Sequence, residues 1–141
     1  MSPKRVLVLC TGNSCRSILA EALIRDLGGE GWDAVSAGSK PTGVVHPGAL
    51  ATLARHGIDP GTPRSESWDA YAGQHFDYVI TVCDAAAGEA CPLFAGPAER
   101  LHWSTPDPAA VDGPPDAVES AFEQAYALLE QRIRTELLHR S

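Results

Sequence analysis

Residues 6–17 read VLVLCTGNSCRS, and this stretch decides the fold. It opens with a continuous run of valine and leucine, which is typical of a strand buried in a parallel sheet. A polar loop with one glycine leads from Cys10 to Arg16, and the apolar spacing becomes helical from Ser17. A buried strand, a short polar loop and a helix in direct succession predict the first unit of an α/β fold.

The remaining chain continues to alternate strands with helices. Further strands are predicted at WDAVSAG (32–38), DYVITVC (77–83) and RLHW (100–103). Helices are predicted at HPGALATLARHG (46–57) and from Ala117 to His139, where Asp116 is expected to cap the helix. We therefore expect one domain over residues 1–141, with a parallel sheet covered by helices on both faces.

The composition limits the function classes. The 141 residues carry a formal net charge of −7, which disfavours binding to nucleic acid or to an anionic membrane. The apolar run near the start is too short for a signal peptide, and no stretch approaches the length of a membrane helix. We therefore expect a cytoplasmic protein, in which four cysteines favour catalysis or metal binding over structural disulfides.

The loop after the first strand has the composition of an oxyanion cradle. Ligands of an open parallel sheet bind beyond the carboxyl ends of its strands, where this loop begins. Glycine and asparagine tolerate the left-handed conformations that a cradle of inward N–H groups requires, and a planar guanidinium holds two oxygens at once. The residues expected to bind the anion are Thr11, Gly12, Asn13, Ser14, Cys15, Arg16 and Ser17.

Cys10 is the candidate nucleophile of this loop. A helix N-terminus and a neighbouring arginine both lower the pKa of a cysteine thiol, and the Ser17 hydroxyl is a candidate hydrogen-bond donor to the sulfur. A thiolate beneath a bound oxyanion is positioned for in-line attack. The alternative is a buried cysteine that precedes an ordinary turn, and a structural role of that kind is the interpretation we favour for Cys15.

Two further cysteines follow the third strand. Cys83 ends that strand as Cys10 ends the first, and neighbouring strands lie about 4.8 Å apart, within the reach of a disulfide. Cys91 lies eight residues beyond Cys83, about 12 Å away on an intact helix, so a disulfide between them requires the segment to rearrange. The spacing predicts a relay in which Cys83 attacks Cys10 and Cys91 then attacks Cys83. The alternative is that both are incidental.

Asp107 is the candidate general acid. It lies in the segment TPDPA after the fourth strand, in a loop that opens at the same edge of the sheet as Cys10. A carboxylic acid there can protonate an oxygen that leaves the oxyanion. Aspartate before proline is also common in plain turns, and the alternative acids are Asp84, Asp112 and Asp116.

Together these motifs resemble the arsenate reductases built on the low-molecular-weight protein tyrosine phosphatase fold, particularly the thioredoxin-coupled type. VLCTGNSCRS, VSAGS, VITVCDAAAGEACP and HWSTPDPA follow that family's order and spacing over almost the whole chain. The resemblance implies a three-layer α/β domain with a four-stranded parallel sheet in the order 2-1-3-4. Phosphatases of the same fold share the first and last of these motifs, whereas the paired downstream cysteines distinguish the reductases.

The resemblance also implies roles for individual residues. Cys10 forms a thiol–arsenate adduct, Arg16 and the loop amides bind arsenate, and Asp107 is the general acid. Cys83 displaces arsenite as it forms a disulfide with Cys10, and Cys91 resolves this to a Cys83–Cys91 disulfide. Thioredoxin then supplies the electrons, no cofactor is tightly bound, and we expect a monomer.

Family members differ among themselves in potassium binding and in the thiol that reduces them. Some members bind potassium near the opening loop through Asn, Ser, Thr and Asp side chains. Asn13 and Ser36 match, but Arg64 and Glu66 stand where Thr and Asp would be. The sequence therefore disfavours a metal site, and Arg64 is a candidate source of the positive charge. Single-cysteine relatives use glutaredoxin or mycothiol, and Cys91 argues against those donors.

The sequence is also compatible with two other functions. Hydrolysis of phosphate esters through a phosphocysteine would use the same loop, although the segment around Asp107 offers only Trp103 as an aromatic wall for a phosphotyrosine ring. Weak phosphatase activity on a small aryl phosphate is expected in any case. A non-catalytic oxyanion-binding or thiol-redox module is the third possibility, but it would leave Asp107 unexplained.

Overall fold

The computed structural model describes residues 4–61, 64–71, 73–82, 99–111 and 113–138. These residues contain four strands and three α-helices. The strands are β1 (Lys4–Cys10), β2 (Trp32–Gly38), β3 (Tyr78–Thr81) and β4 (Glu99–His102). The helices are α1 (Arg16–Gly28), α2 (Pro47–Arg55) and α3 (Pro115–Arg132), and a π-helical turn, Ile133–Leu137, continues the last of them.

All four strands are parallel, in the order β2-β1-β3-β4, which confirms the expected topology. The central strand is β1, where Cys10 pairs with Gly38 of β2 and Leu9 pairs with Thr81 of β3. The pairing continues beyond β3, because the N–H of Val82 donates to the carbonyl of Leu9 (3.0 Å). The carboxyl ends of β1, β2 and β3 therefore meet at one edge of the sheet, where the loop after Cys10 begins.

The alternating side chains of β1 separate two hydrophobic cores. From Val6 to Cys10, the even-numbered residues belong to the core that α1, α2 and α3 cover. Leu7 and Leu9 belong to the core on the opposite face. Within the described ranges, that face is covered by Phe76 and by the 3₁₀ turn Trp68–Tyr71. The three-layer α/β class expected from the sequence is thereby confirmed.

The boundaries of the last helix differ from the sequence expectation. α3 begins at Pro115 instead of Ala117, and its N-cap is Pro114, so the expectation that Asp116 caps the helix is wrong. Proline has a fixed backbone angle that suits the first helical position, which explains the earlier start. Asp116 lies in the first turn, where a carboxylate interacts favourably with the helix dipole. The α-helical geometry ends at Arg132, before the π-helical turn.

Within the described ranges, no helix is both long enough and apolar enough to cross a bilayer.

Candidate functional site

The loop formed by residues 11–15, called the anion loop below, turns the carbonyl groups of Thr11, Gly12 and Ser14 outward. The segment after β2 lies alongside it and donates three backbone hydrogen bonds, from Lys40 to Thr11 (2.9 Å), Thr42 to Gly12 (3.1 Å) and His46 to Ser14 (2.9 Å). In a trans peptide the N–H points away from the C=O of the same unit. The N–H groups that follow these carbonyls therefore point inward, at the start of α1, as an oxyanion cradle requires.

Asn13 stabilises the loop through its buried side chain. Its φ of 47° lies in the left-handed region, which asparagine tolerates better than most residues. Its Nδ2 donates to the hydroxyls of Ser17 and Ser36 (both 2.9 Å), and its Oδ1 accepts from the N–H of Glu66 (2.9 Å). Because Asn13 is fully buried, these three bonds are needed to satisfy its amide group, and they fix the conformation of the turn.

Gly38, the last residue of β2, lies directly against the loop. A Cβ at this position would stand 2.4 Å from the carbonyl oxygen of Thr11 and 2.8 Å from that of Cys10. Both oxygens belong to the backbone, which cannot move aside as the end of a flexible side chain can. The close approach of β2 to the loop therefore requires glycine.

Arg16, the first residue of α1, extends to the segment after β4. Its Nη1 donates to the carbonyl of Thr105 (2.9 Å), and its Nη2 lies 3.7 Å from Oδ2 of Asp107. The side chain is only 14% exposed, and its Nε has no partner among the described residues. A buried N–H without an acceptor is costly, so an oxyanion in the cradle would complete the hydrogen bonding of Arg16.

Among the candidate acids that the structure describes, Asp107 lies close to Arg16 at the start of α1. Its side chain is 43% exposed, so it can reach both solvent and the neighbourhood of Arg16. The 3₁₀ turn Pro108–Ala110 follows it directly. Of the alternative acids, Asp116 lies in the first turn of α3, and Asp84 and Asp112 lie outside the described residues.

Cys10 and Cys15 are both buried and reduced, but their positions differ. Both belong to the main hydrophobic core, but Cys10 is the last residue of β1 and opens the loop, whereas Cys15 immediately precedes α1. Burial raises the pKa of the Cys15 thiol, which disfavours its thiolate and supports a packing role. The Ser17 hydroxyl accepts from Asn13 and keeps its own hydrogen, so its hydrogen bond to the Cys10 sulfur stays a prediction.

Cys83 and Cys91 lie outside the described residues, and the relay predicted for them stays a prediction. The described residues next to Cys83 nevertheless bear on it. Val82 precedes Cys83 and donates its N–H to Leu9, the residue before Cys10. The expectation that the first and third strands are neighbours is therefore confirmed.

One cavity, of about 170 Å³, adjoins the hydrogen-bond network of Asn13. Two carboxyl groups and two guanidinium groups line it, those of Glu21, Glu66, Arg25 and Arg64. The guanidinium groups compensate the carboxylates, and the Asn13 carbonyl oxygen is already occupied by a backbone donor, so these groups fit poorly around a potassium ion. Across the described ranges, no cluster of three or more His, Cys, Asp or Glu side chains could hold a metal ion.

Three polar residues of the site are not among the candidate site residues predicted from the sequence. Glu21 is buried in the apolar stretch ILAEALI of α1, where a carboxyl on the inward side of a helix is the available signal. Burial raises its pKa, and Ser36 donates a hydrogen bond to it (3.3 Å). Ser65 and Thr105 carry no such signal, because their hydrogen bonds join segments that are distant in sequence.

The sequence of the chain is similar to a known protein family and to known proteins. The family model described as low molecular weight phosphotyrosine protein phosphatase matches residues 5–140. An arsenate reductase of Halalkalibacterium halodurans is 36% identical over 135 residues, which cover 96% of each chain. The similarity therefore extends through the sheet, the anion loop and the last helix.

Solved structures show the same architecture. An arsenate reductase in its phosphate-binding state superposes with a TM-score of 0.71 at 25% identity, covering 93% of this chain and 97% of that one. A thioredoxin-dependent arsenate reductase of Corynebacterium glutamicum has a TM-score of 0.71 at 24% identity, covering 94% of this chain and 61% of the other. The second likeness is one of fold.

Proposed function

The chain belongs to the low molecular weight phosphotyrosine protein phosphatase family, and within this family we propose that it reduces arsenate to arsenite. The observation that carries the proposal is the 36% identity with an arsenate reductase over almost the full length of both chains. The cradle gives this similarity a chemical basis, because arsenate is a tetrahedral oxyanion of the kind that inward amides and an arginine fork bind.

The first proposed step joins arsenate to Cys10. The loop amides and Arg16 hold the arsenate, the Cys10 thiolate attacks the arsenic, and one oxygen leaves as water. Asp107, which lies 3.7 Å from Arg16, donates the proton that the leaving oxygen needs. The product is an adduct with a sulfur–arsenic(V) bond, and no electrons have yet been transferred.

The reduction itself is assigned to the downstream cysteines. The Cys83 thiolate attacks the Cys10 sulfur, the sulfur–arsenic bond breaks, and its electron pair leaves with arsenic as arsenite(III). A Cys10–Cys83 disulfide remains. Cys91 then attacks Cys83, which releases Cys10 as a thiolate and leaves a Cys83–Cys91 disulfide. The contact between Val82 and Leu9 supports the first of these exchanges, because it joins the residues that precede Cys83 and Cys10.

Thioredoxin is the proposed reductant of the final disulfide. Its dithiol would reduce the Cys83–Cys91 disulfide and become oxidised in turn, which restores the enzyme. The paired downstream cysteines support this donor, and a thioredoxin-dependent arsenate reductase shares the fold. We further propose that the protein is a cytoplasmic monomer without a tightly bound cofactor.

The relay is tested by coupling arsenate reduction to NADPH oxidation through thioredoxin and thioredoxin reductase. We expect that replacing Cys10, Cys83 or Cys91 by serine abolishes turnover, because each thiol forms a bond that the next step breaks. Hydrolysis of a small aryl phosphate by the same variants is the matched control, since it needs only the cradle and Cys10. This activity should survive in Cys83→Ser and Cys91→Ser and disappear in Cys10→Ser.

Two results would contradict parts of this mechanism. Full reductase turnover in Cys91→Ser would remove the Cys83–Cys91 disulfide from the cycle. Arsenate reduction that persists in Cys10→Ser would overturn the adduct and with it the assignment of Cys10 as the nucleophile.

Phosphate-ester hydrolysis through a phosphocysteine is the alternative function, favoured by the family description and by the shared anion cradle. It uses the same nucleophile and acid but needs no downstream thiol. A wild-type protein that hydrolyses aryl phosphates while failing to reduce arsenate with thioredoxin would establish this alternative.

The role of Asp107 is tested by Asp107→Asn. The amide keeps the shape of the carboxyl but cannot donate the acidic proton, so we expect the rate of adduct formation to fall about 10²- to 10⁴-fold. Asp116→Asn is the matched control, because Asp116 is an exposed acid in the first turn of α3. An unchanged rate in Asp107→Asn, measured by rapid-quench single-turnover kinetics, would remove the general-acid assignment.

A further inference from the structure

The carbonyl of Gly12 accepts two hydrogen bonds from residues outside the anion loop. One comes from the N–H of Thr42 (3.1 Å) and the other from the hydroxyl of Ser65 (3.0 Å). The carbonyls of Thr11 and Ser14 are each bound by one backbone N–H of the neighbouring segment. The peptide unit between Gly12 and Asn13 is therefore held both by a backbone donor and by a side chain.

The orientation of this peptide unit matters for anion binding. Its C=O is bound on the outer side of the loop, so its N–H, which belongs to Asn13, points to the inner side. Asn13 has a φ of 47°, a conformation that is less favourable than the right-handed one for residues other than glycine. Two donors on the Gly12 carbonyl oppose rotation of this unit and also polarise it, which strengthens its N–H as a donor.

Ser65 also joins this peptide unit to the segment that binds the rest of the loop. Its Oγ accepts from the N–H of Gly43 (3.1 Å) and lies 3.5 Å from the hydroxyl of Thr42. The Thr42 hydroxyl in turn donates to the carbonyl of Val44 (2.8 Å). The one Ser65 hydroxyl thus connects the anion loop with residues 42–44, and its single hydrogen is used on the Gly12 carbonyl.

We propose that Ser65 is a positioning residue, whose hydroxyl holds the Gly12–Asn13 peptide unit so that the Asn13 N–H faces the bound oxyanion. This inference rests on the proposed function, since it assigns Ser65 to the cradle of that site. Ser65 does not touch the reacting atoms in this role. It acts through the backbone of Gly12, and its effect is expected on anion affinity and on the thiolate of Cys10.

The test compares variants that differ at one hydroxyl. The affinity for inorganic phosphate is measured by titration calorimetry, and the pH midpoint of Cys10 alkylation is followed by peptide mass spectrometry. We expect Ser65→Ala to weaken phosphate binding about three- to tenfold, the equivalent of one neutral hydrogen bond. The alkylation midpoint should move to higher pH, because the inward N–H groups stabilise the thiolate less well.

Two controls separate positioning from a loss of stability. Ser67→Ala removes a hydroxyl two residues away that accepts from the N–H of Asp69, and it should change neither measurement. Ser65→Thr keeps the hydroxyl and should retain the wild-type affinity and pH midpoint. Ser65→Val, which has the shape of threonine without the hydroxyl, should retain neither. This isosteric pair carries the test if Ser65→Ala does not fold.

The outcomes distinguish this inference from the proposed function. A wild-type protein that binds no phosphate would overturn the anion cradle and the role of Ser65 together. A wild-type protein that binds phosphate, with Ser65→Ala or Ser65→Val binding equally well and reacting with the same pH midpoint, would overturn the positioning role alone.

Discussion

Asn13 and Gly38 show how single residues shape the anion loop from its two sides. Asn13 occupies a left-handed position and uses its whole amide group inside the protein, on Ser17, Ser36 and Glu66. Because Gly38 has no side chain, the carbonyls of Thr11 and Cys10 can lie directly against it. Neither residue supplies a reacting atom, yet both determine where the N–H groups of the loop point.

The requirement for glycine at position 38 leads to a prediction. Gly38→Ala would place a Cβ 2.4 Å from the carbonyl oxygen of Thr11, so the loop or the strand must shift. We expect the variant to lose about 1 to 3 kcal/mol of unfolding free energy, the usual cost of overpacking, and to bind phosphate more weakly. Urea denaturation and titration calorimetry measure the two effects.

Gly31→Ala is the matched control for this prediction. Gly31 lies just before β2, and a Cβ there would meet nothing within 4 Å. Equal stability of the Gly38→Ala and Gly31→Ala variants would show that the contact between β2 and the loop tolerates a side chain.

At the scale of elements, α1 combines two tasks. Its first turn carries Arg16, which extends to the segment after β4, and its buried side packs on the sheet. Glu21 interrupts this buried side one turn further along. The carboxyl is stabilised by a hydrogen bond from Ser36, which in turn accepts from Asn13, so the helix interior and the anion loop share one polar network.

Glu21 should make the stability of the fold depend on pH. Burial raises its pKa in the folded protein, so the folded state binds this proton more tightly than the unfolded state. Its contribution therefore favours folding at low pH and is lost as the pH rises from the ordinary glutamate range through the raised pKa. Glu21→Gln lacks the titrating group, and its stability relative to the wild type should increase from acidic to neutral pH.

Denaturation of both proteins at a series of pH values measures this difference. Asp26→Asn is the control, because Asp26 is an exposed acid on the same helix. A constant difference in unfolding free energy between wild type and Glu21→Gln across the series would contradict the raised pKa.

At the scale of the whole molecule, α3 is connected to the anion loop through His46. The ring of Phe122 in α3 packs on the ring of His46, with centroids 5.1 Å apart. His46 precedes α2, where its Nδ1 accepts from the N–H of Gly48, and its own N–H binds the carbonyl of Ser14. Through His46, α3 therefore helps to hold the anion loop, which follows the first strand.

A structural feature of this molecule could be predicted when the interactions behind it join residues that are close together in the sequence. The succession of β1, loop and α1 was readable because a buried strand, a polar loop and a helix leave adjacent patterns in residues 6–17. The helix cap at Asp116 was wrong because Pro114 and Pro115 set the start locally more strongly than an acidic side chain does. Ser65 was not selected, since its bond to Gly12 spans 53 residues and depends on tertiary structure.

The outward carbonyls of the loop have a consequence for the chemistry that the fold can host. Recognition by main-chain amides depends on the path of the backbone, so it does not distinguish phosphorus from arsenic at the centre of a tetrahedral anion. The same cradle can therefore serve ester hydrolysis in one relative and reduction in another. In the proposed mechanism, the two reactions differ in the fate of the covalent adduct, which depends on whether water or a second thiol reaches it first.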